Sequence, residues 1–238
     1  MMTKLKLLLS PWLILLVFVL PLGKSWASES TGIDIENGQV IFNEGKGDAT
    51  ACQGCHGGAG LGMDAMGAPR LANIGQVYIA KQLTDFANGL RTPAGMGVVM
   101  VGIAQALSVK DRRDVAAYLD SLAYEVESSD LQALAAEGTK VGQAELGKLI
   151  VVKGIKGKVP ACQDCHGFNG RAPHIPAINQ QKYVYLINQM MAWKDGSRAN
   201  DPMVNKVGIM RGIAKKLTED EIANISAYLS TAPRVTPE

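Results

Sequence analysis

The sequence predicts an all-α protein in which one helical domain occurs twice in tandem, and two observations carry that reading. The first is an internal duplication. Ala-Cys-Gln-Gly-Cys-His-Gly at 51–57 returns as Ala-Cys-Gln-Asp-Cys-His-Gly at 161–167, and Met-Val-Gly-Ile-Ala-Gln-Ala-Leu-Ser at 100–108 returns as Met-Arg-Gly-Ile-Ala-Lys-Lys-Leu-Thr at 210–218. Both pairs lie 110 residues apart, whereas the middle runs 107 apart, matching Pro69 to Pro176, Tyr78 to Tyr185 and Arg91 to Arg198. Three extra residues in a loop of the first half are thus offset by three in a later loop of the second. The second observation is apolar spacing at helical period, with no run of alternating strands.

In chain order, residues 1–27 read as a secretory signal peptide. Lys4 and Lys6 precede an apolar run from Leu7 to Leu22, and Ser25-Trp26-Ala27 supplies the small residues that an export peptidase reads. An uncleaved anchor is the alternative, but the run is short for a spanning helix. Gly38 to Phe42 and Gly147 to Val151 begin short helices ahead of the cysteines. Tyr78 to Asn88 and Tyr185 to Asp195 read as further helices stopped by glycine. Ser108-x-x-Asp111 and Thr218-x-x-Glu221 are N-terminal capping signatures, opening helices with Val115, Leu119 and Leu122 in one and Ile222, Ile225 and Leu229 in the other. The expected organisation is a first domain at 28–124, a polar linker at 125–142 that could hold one helical turn, and a second domain at 143–238.

Charge lends no support to one class of function. The whole chain is formally +2, but without residues 1–27 it holds 21 Lys+Arg against 22 Asp+Glu, so its apparent basicity gives no argument for nucleic acid. What remains is uneven. Residues 28–130 carry 7 Lys+Arg and 13 Asp+Glu, and residues 131–238 carry 14 and 9, a dipole that will orient the molecule in an encounter.

Cys-x-x-Cys-His is a haem-attachment sequence for a physical reason. Two thiols at this spacing can each add to a vinyl group of one porphyrin, and the adjacent histidine is then held beneath the iron. The sets are Cys52, Cys55 and His56, and Cys162, Cys165 and His166. A four-thiolate zinc site would leave both histidines unexplained. Two covalently bound haem c groups are therefore expected, and they supply core material to a chain with only 5% aromatic residues.

For the sixth iron ligands the candidates are Met100 and Met210, each 44 residues after its histidine and first in the duplicated nonapeptide. Met96 and Met203 compete from the same loops, while Met190 and Met191 read as core. His174, 8 residues after His166, reads as a solvent-facing loop residue. A carbonyl in the loop of Pro69 or Pro176 is placed to accept a hydrogen bond from the proximal imidazole, the alternative being an ordinary loop proline. Arg91 and Arg198 would pair with haem carboxylates or else be exposed helix-end charges. His/Met ligation closes the coordination sphere and raises the reduction potential.

Each half resembles a class I cytochrome c domain: an early helix, Cys-x-x-Cys-His, a proline loop, a Tyr-initiated helix, then methionine and a final helix. The tandem is similar to the diheme cytochrome c4 family, on the strength of Tyr-x-x-Lys-Gln-Leu at 78–83 and Met-x-x-Ile-Ala-x-x-Leu in both ligand loops. The second half departs from it with Asn188-Gln189-Met190, and the first with a longer glycine-rich loop at Gly60 to Gly67. The resemblance implies a periplasmic, non-enzymatic electron carrier of the respiratory chain, soluble or peripheral to the membrane. Its partners would be redox protein donors and acceptors, including a membrane-bound terminal oxidase. The alternative is a cytochrome subunit of a dehydrogenase complex, such as that of flavocytochrome c sulfide dehydrogenase. Catalysis at one haem, as in diheme peroxidases or thiosulfate dehydrogenases, would need an open iron, and the matched methionines argue against it.

Overall fold

The computed structural model describes residues 32–91, 95–123, 125–167, 174–204 and 207–233; the leader read at 1–27 lies outside them. The first half comprises α1 (Ile35–Glu44), α2 (Gln53–His56), α3 (Gln76–Ala87), α4 (Val99–Ala106) and α5 (Val109–Ser121). A short α6 (Leu131–Ala136) follows. The second half repeats the series as α7 (Ala144–Lys153), α8 (Cys162–His166), α9 (Tyr183–Asp195), α10 (Ile209–Ala214) and α11 (Glu219–Thr231). One feature adds to the all-helical expectation. A two-residue antiparallel ladder, β1 (Met203–Val204) on β2 (Val207–Gly208), stands ahead of α10 where the first half has a 3-10 turn at Gly95–Val98.

Each half is organised by its first and last helices crossing, α1 on α5 and α7 on α11. Glycine makes the crossing close. A Cβ on Gly38 would lie 2.3 Å from the Asp114 carbonyl oxygen, and one on Gly147 would lie 1.9 Å from that of Asn224. Around each crossing gathers one apolar core: Ile41, Phe42, Leu83, Phe86, Val115 and Leu119 in the first half, and Ile150, Val151, Leu186, Ile222, Ile225 and Leu229 in the second. Both capping boxes form as the sequence predicts. Ser108 accepts from the Asp111 N–H and Thr218 from the Glu221 N–H, while each acid side chain reaches back to the cap. The middle helices begin two residues earlier than their tyrosines imply, at Gln76 and Tyr183.

Residues 125–142 are held against the second half rather than left as a free tether. Asp130 caps α6 by accepting from the Gln132 and Ala133 N–H groups, and Leu134 buries itself against Tyr183. Ser129 donates its N–H to the Ser230 carbonyl, and its hydroxyl accepts from the Tyr183 N–H.

The halves meet along α3 and α9. Arg91 and Arg198, read either as partners of haem carboxylates or as exposed helix-end charges, are 6% and 7% exposed, which removes the second alternative. Each stacks on an aromatic ring of its own half, Arg91 at 4.5 Å from Phe86 and Arg198 at 4.1 Å from Trp193. Each also donates to the tyrosine and glutamine of the other half. Arg91 reaches Tyr185 Oη (3.1 Å) and Gln189 Oε1 (2.7 Å), and Arg198 reaches Tyr78 Oη (3.1 Å) and Gln82 Oε1 (3.2 Å). The glycine-rich loop of the first half joins the same seam, where Asp64 Oδ1 accepts from the Val184 N–H at the start of α9 (3.0 Å).

Candidate haem sites

In both halves the motif occupies a single helical turn. The His56 N–H donates to the Cys52 carbonyl at 3.0 Å, which sets cysteine and histidine one turn apart on one side of α2. Gly57 (φ 79°) and Gly167 (φ 57°) then turn the chain through left-handed conformations closed to most side chains. The turns are tied down in the same way. Gln53 Nε2 donates to the Asn43 carbonyl (2.6 Å) and Gln163 Nε2 to the Val152 carbonyl (3.0 Å), fixing α2 and α8 to the ends of α1 and α7.

The decisive geometry is at the imidazoles. His56 Nδ1 lies 2.9 Å from the Pro69 carbonyl oxygen, and His166 Nδ1 lies 2.9 Å from that of Pro176. A carbonyl only accepts, so each Nδ1 carries the proton and each Nε2 keeps a free lone pair. Burial lowers the pKa of both rings, with the carbonyl bond opposing it, so both are neutral donors at pH 7. The loop prolines thus supply the carbonyls that the sequence suggested.

Cys52 and Cys162 pack against the first and second cores respectively, and burial pushes both thiols up to about 11. None of the four cysteines is in a disulfide. Among the described residues no three His, Cys, Asp or Glu side chains gather as a metal cage, so the four thiols do not converge on a zinc site. Met100 is half-buried at the second position of α4 and packs on the same core as Cys52. Met210 is half-buried at the second position of α10. Of the competitors, Met203 is 67% exposed, Met190 and Met191 pack in the second core, and the Met96 side chain lies outside the described residues. His174 is exposed.

These residues fit a covalent haem in each half. The donor set of each is two thiols and one oriented neutral imidazole, and in the first half the buried Arg91 Nε has no acceptor among the described residues, a place that a carboxylate would satisfy. The comparisons agree. The family model for cytochrome c matches residues 35–123 and again 144–233. The chain belongs to the cytochrome c family.

Cytochrome c4 of Stutzerimonas stutzeri is 33% identical over 224 residues, 91% of this chain and 97% of the relative. The thiosulfate dehydrogenase electron acceptor of Thiomonas intermedia is 34% identical over 193 residues, 78% of this chain and 80% of that protein. Among solved structures, reduced cytochrome c4 from Pseudomonas stutzeri superposes with a TM-score of 0.66 at 30% identity, covering 84% of this chain and 98% of that one. A thiosulfate dehydrogenase from Marichromatium purpuratum reaches a TM-score of 0.71 at 31% identity, and there the chain spans only 40% of the longer polypeptide. Two tandem cytochrome c domains carry two covalently bound haem c groups, and the protein is a diheme electron carrier. No helix among the described residues is long and apolar enough to cross a membrane.

Sequence reasoning missed the seam. The matched Tyr78 and Tyr185 and the matched Arg91 and Arg198 were visible as a repeat, and that each arginine serves the opposite half was not. The available signal was an arginine two residues after an equivalent glycine in both copies, Gly89 and Gly196.

Proposed function

We propose that His56 and Met100 ligate one iron and His166 and Met210 the other, with Cys52, Cys55, Cys162 and Cys165 as thioether anchors. The paired histidine–proline contacts carry this reading, because each leaves one imidazole lone pair free to bind a metal and fixes its direction. The half-buried, equivalent places of Met100 and Met210 support the rest. When bound, each haem supplies an iron that alternates between two oxidation states. The chain's part is to hold that exchange without rearrangement: neutral imidazoles need no proton movement, the glycine crossings keep the cores rigid, and methionine fills the position a substrate would need. The protein is accordingly a carrier rather than an enzyme, with domains at 28–124 and 143–238.

In the cell it works in the periplasm, delivered by cleavage of residues 1–27, between respiratory donors and a terminal oxidase. A second reading gains support from relatives named as thiosulfate dehydrogenase electron acceptors. In it the immediate donor is a periplasmic dehydrogenase that oxidises a reduced sulfur compound. The partner faces differ between halves. Val98 and Val99 are exposed beside Met100 in a stretch, 95–107, without a single charge. Met203, Val204, Val207 and Ile209 are exposed near Met210, in a stretch that also carries Lys206, Arg211, Lys215 and Lys216. That second face suits a partner with an acidic rim.

The test is direct. Intact mass of the exported protein should show two porphyrins. Met100→Ala and Met210→Ala should each remove the long-wavelength ferric band of one haem and leave the other. Survival of the whole band in either variant would remove that methionine from the ligand set.

A further inference from the structure

We propose that Gln181, a side chain of the second half, is a positioning residue for the proximal histidine of the first. The inference rests on the reading of His56 as an iron ligand. The Pro69 carbonyl that accepts from His56 Nδ1 and the N–H of Arg70 are two ends of one planar peptide group. That N–H donates to Gln181 Oε1 at 2.7 Å, and Gln181 Nε2 donates back to the Arg70 carbonyl at 3.0 Å. Gln181 therefore grips the backbone of residue 70 at both ends, much as a neighbouring strand would.

The grip is rigid. Gln181 Oε1 also accepts from the Lys182 N–H at 2.9 Å, and the Lys182 ammonium is paired with Glu127. On the first half's own side Gly62, at φ 82°, lies so near the same peptide that a Cβ there would come within 2.5 Å of Arg70 N. Arg70 and Gln181 are 0% and 5% exposed, so water does not compete for these bonds.

Polarisation follows from the geometry. A peptide whose N–H is donating has a more negative carbonyl oxygen, and bonds in such a chain strengthen one another. A stronger acceptor on Nδ1–H makes the imidazole a more basic ligand, which favours the oxidised metal. The second half is built otherwise. Ile74, in the first core, aligns with Gln181, and Ala177 aligns with Arg70. Docking of the second half thus acts on the first haem through a link that its counterpart does not share, and it holds the first haem toward the oxidised state.

The experiment uses the full-length holoprotein, with a redox titration of each haem and proton NMR of each proximal Nδ1–H. Gln181→Ala should raise the reduced-to-oxidised ratio of the first haem at fixed ambient potential about two- to fivefold. It should also move the His56 Nδ1–H signal and leave His166 where it was. Asn200→Ala is the control for a loosened seam: it removes bonds of 3.0 and 2.6 Å to Gln82 and Asp85 without touching Pro69, and should leave the His56 signal in place. If Gln181→Ala does not fold, Gln181→Met keeps the volume without the amide, and the same expectation holds. An unmoved His56 signal and midpoint, or an equal shift in Asn200→Ala, overturns the proposal. An unaltered protein with no iron-shifted His56 signal would instead overturn the ligand reading, and the positioning role with it.

Discussion

The two halves share a backbone and differ in charge. Gly38 against Asp114 and Gly147 against Asn224 make the same helix crossing, and Asn73 and Gln180 hold the same left-handed conformation, donating N–H to Leu119 and Leu229. Yet at the crossing the polar side chain that receives the backbone N–H just before the first helix is a carboxylate in one half and an amide in the other. Asp114 accepts from Asp34 N–H at 3.0 Å, and Asn224 from Gln143 N–H at 2.7 Å. Positions where atoms cannot be added stay fixed, because packed backbones tolerate no alternative. Positions that need only an acceptor are free to change ionisation.

The largest effect should come from attacking what the halves share. Gly147→Ala places a Cβ 1.9 Å from the Asn224 carbonyl oxygen, a backbone atom that can move only if α7 and α11 separate. The expected loss is about 3 kcal/mol, with somewhat less for Gly38→Ala, where the approach is 2.3 Å. Denaturant unfolding of both variants measures the order. Equal, negligible losses would mean that the crossings are looser than the two glycines imply.

That shared frame is also what the sequence made legible. Duplication located the helices, the two capping boxes fixed the starts of α5 and α11, and Cys-x-x-Cys-His named the haem. The rest was hidden because it is relational. Nothing in Arg91 or Arg198 says which half supplies its tyrosine, and Gln181 aligns with an isoleucine, so the repeat itself conceals the side chain that clasps Arg70. The polar run at 125–130 reads as solvated linker by composition. Its Ser129 is nonetheless buried, because backbone partners at Ser230 and Tyr183 replace water. The short β1–β2 ladder was equally out of reach, since two residues per strand leave no period to detect.

A smaller effect should separate the halves at the end of their methionine-bearing helices. In the first, the buried Arg112 donates to the Ala104 and Leu107 carbonyls at 2.9 and 2.8 Å, closing α4. In the second, Ile222 holds the matching place, and Lys194 on α9 reaches the Leu217 carbonyl instead. Arg112→Met should cost about 2 kcal/mol and Lys194→Met about 1 kcal/mol, since two charged bonds are lost in one case and one in the other. Hydrogen exchange at α4 and α10 reads the two losses separately. The comparison breaks if α10 opens as readily in Lys194→Met as α4 does in Arg112→Met.

The smallest expected effect tests charge alone. Burial would raise the Asp114 pKa, but hydrogen bonds from Lys110, the Asp34 N–H and Asn37 outweigh it and hold the carboxyl below its ordinary range. Asp111 is lowered too, its burial outweighed by Lys46, Asn37 and Ser108. A carboxylate with a depressed folded pKa contributes stability that is present above its unfolded value, about 3.9, and lost as pH falls through the folded one. The second half has Glu221, lowered by Lys158 against its own burial, as the counterpart of Asp111, and the neutral Asn224 in place of Asp114. Acid should therefore loosen the first half more steeply than the second, below a pH of about 4. Asp114→Asn keeps an acceptor for the Asp34 N–H and gives up the Lys110 pair, at a cost of about 1 kcal/mol near neutral pH. In acid that cost should vanish, because the native carboxylate is by then protonated as well. Amide exchange followed in each half as pH is lowered measures both slopes, and an unchanged first-half slope in Asp114→Asn would assign the acid sensitivity to Asp111 instead.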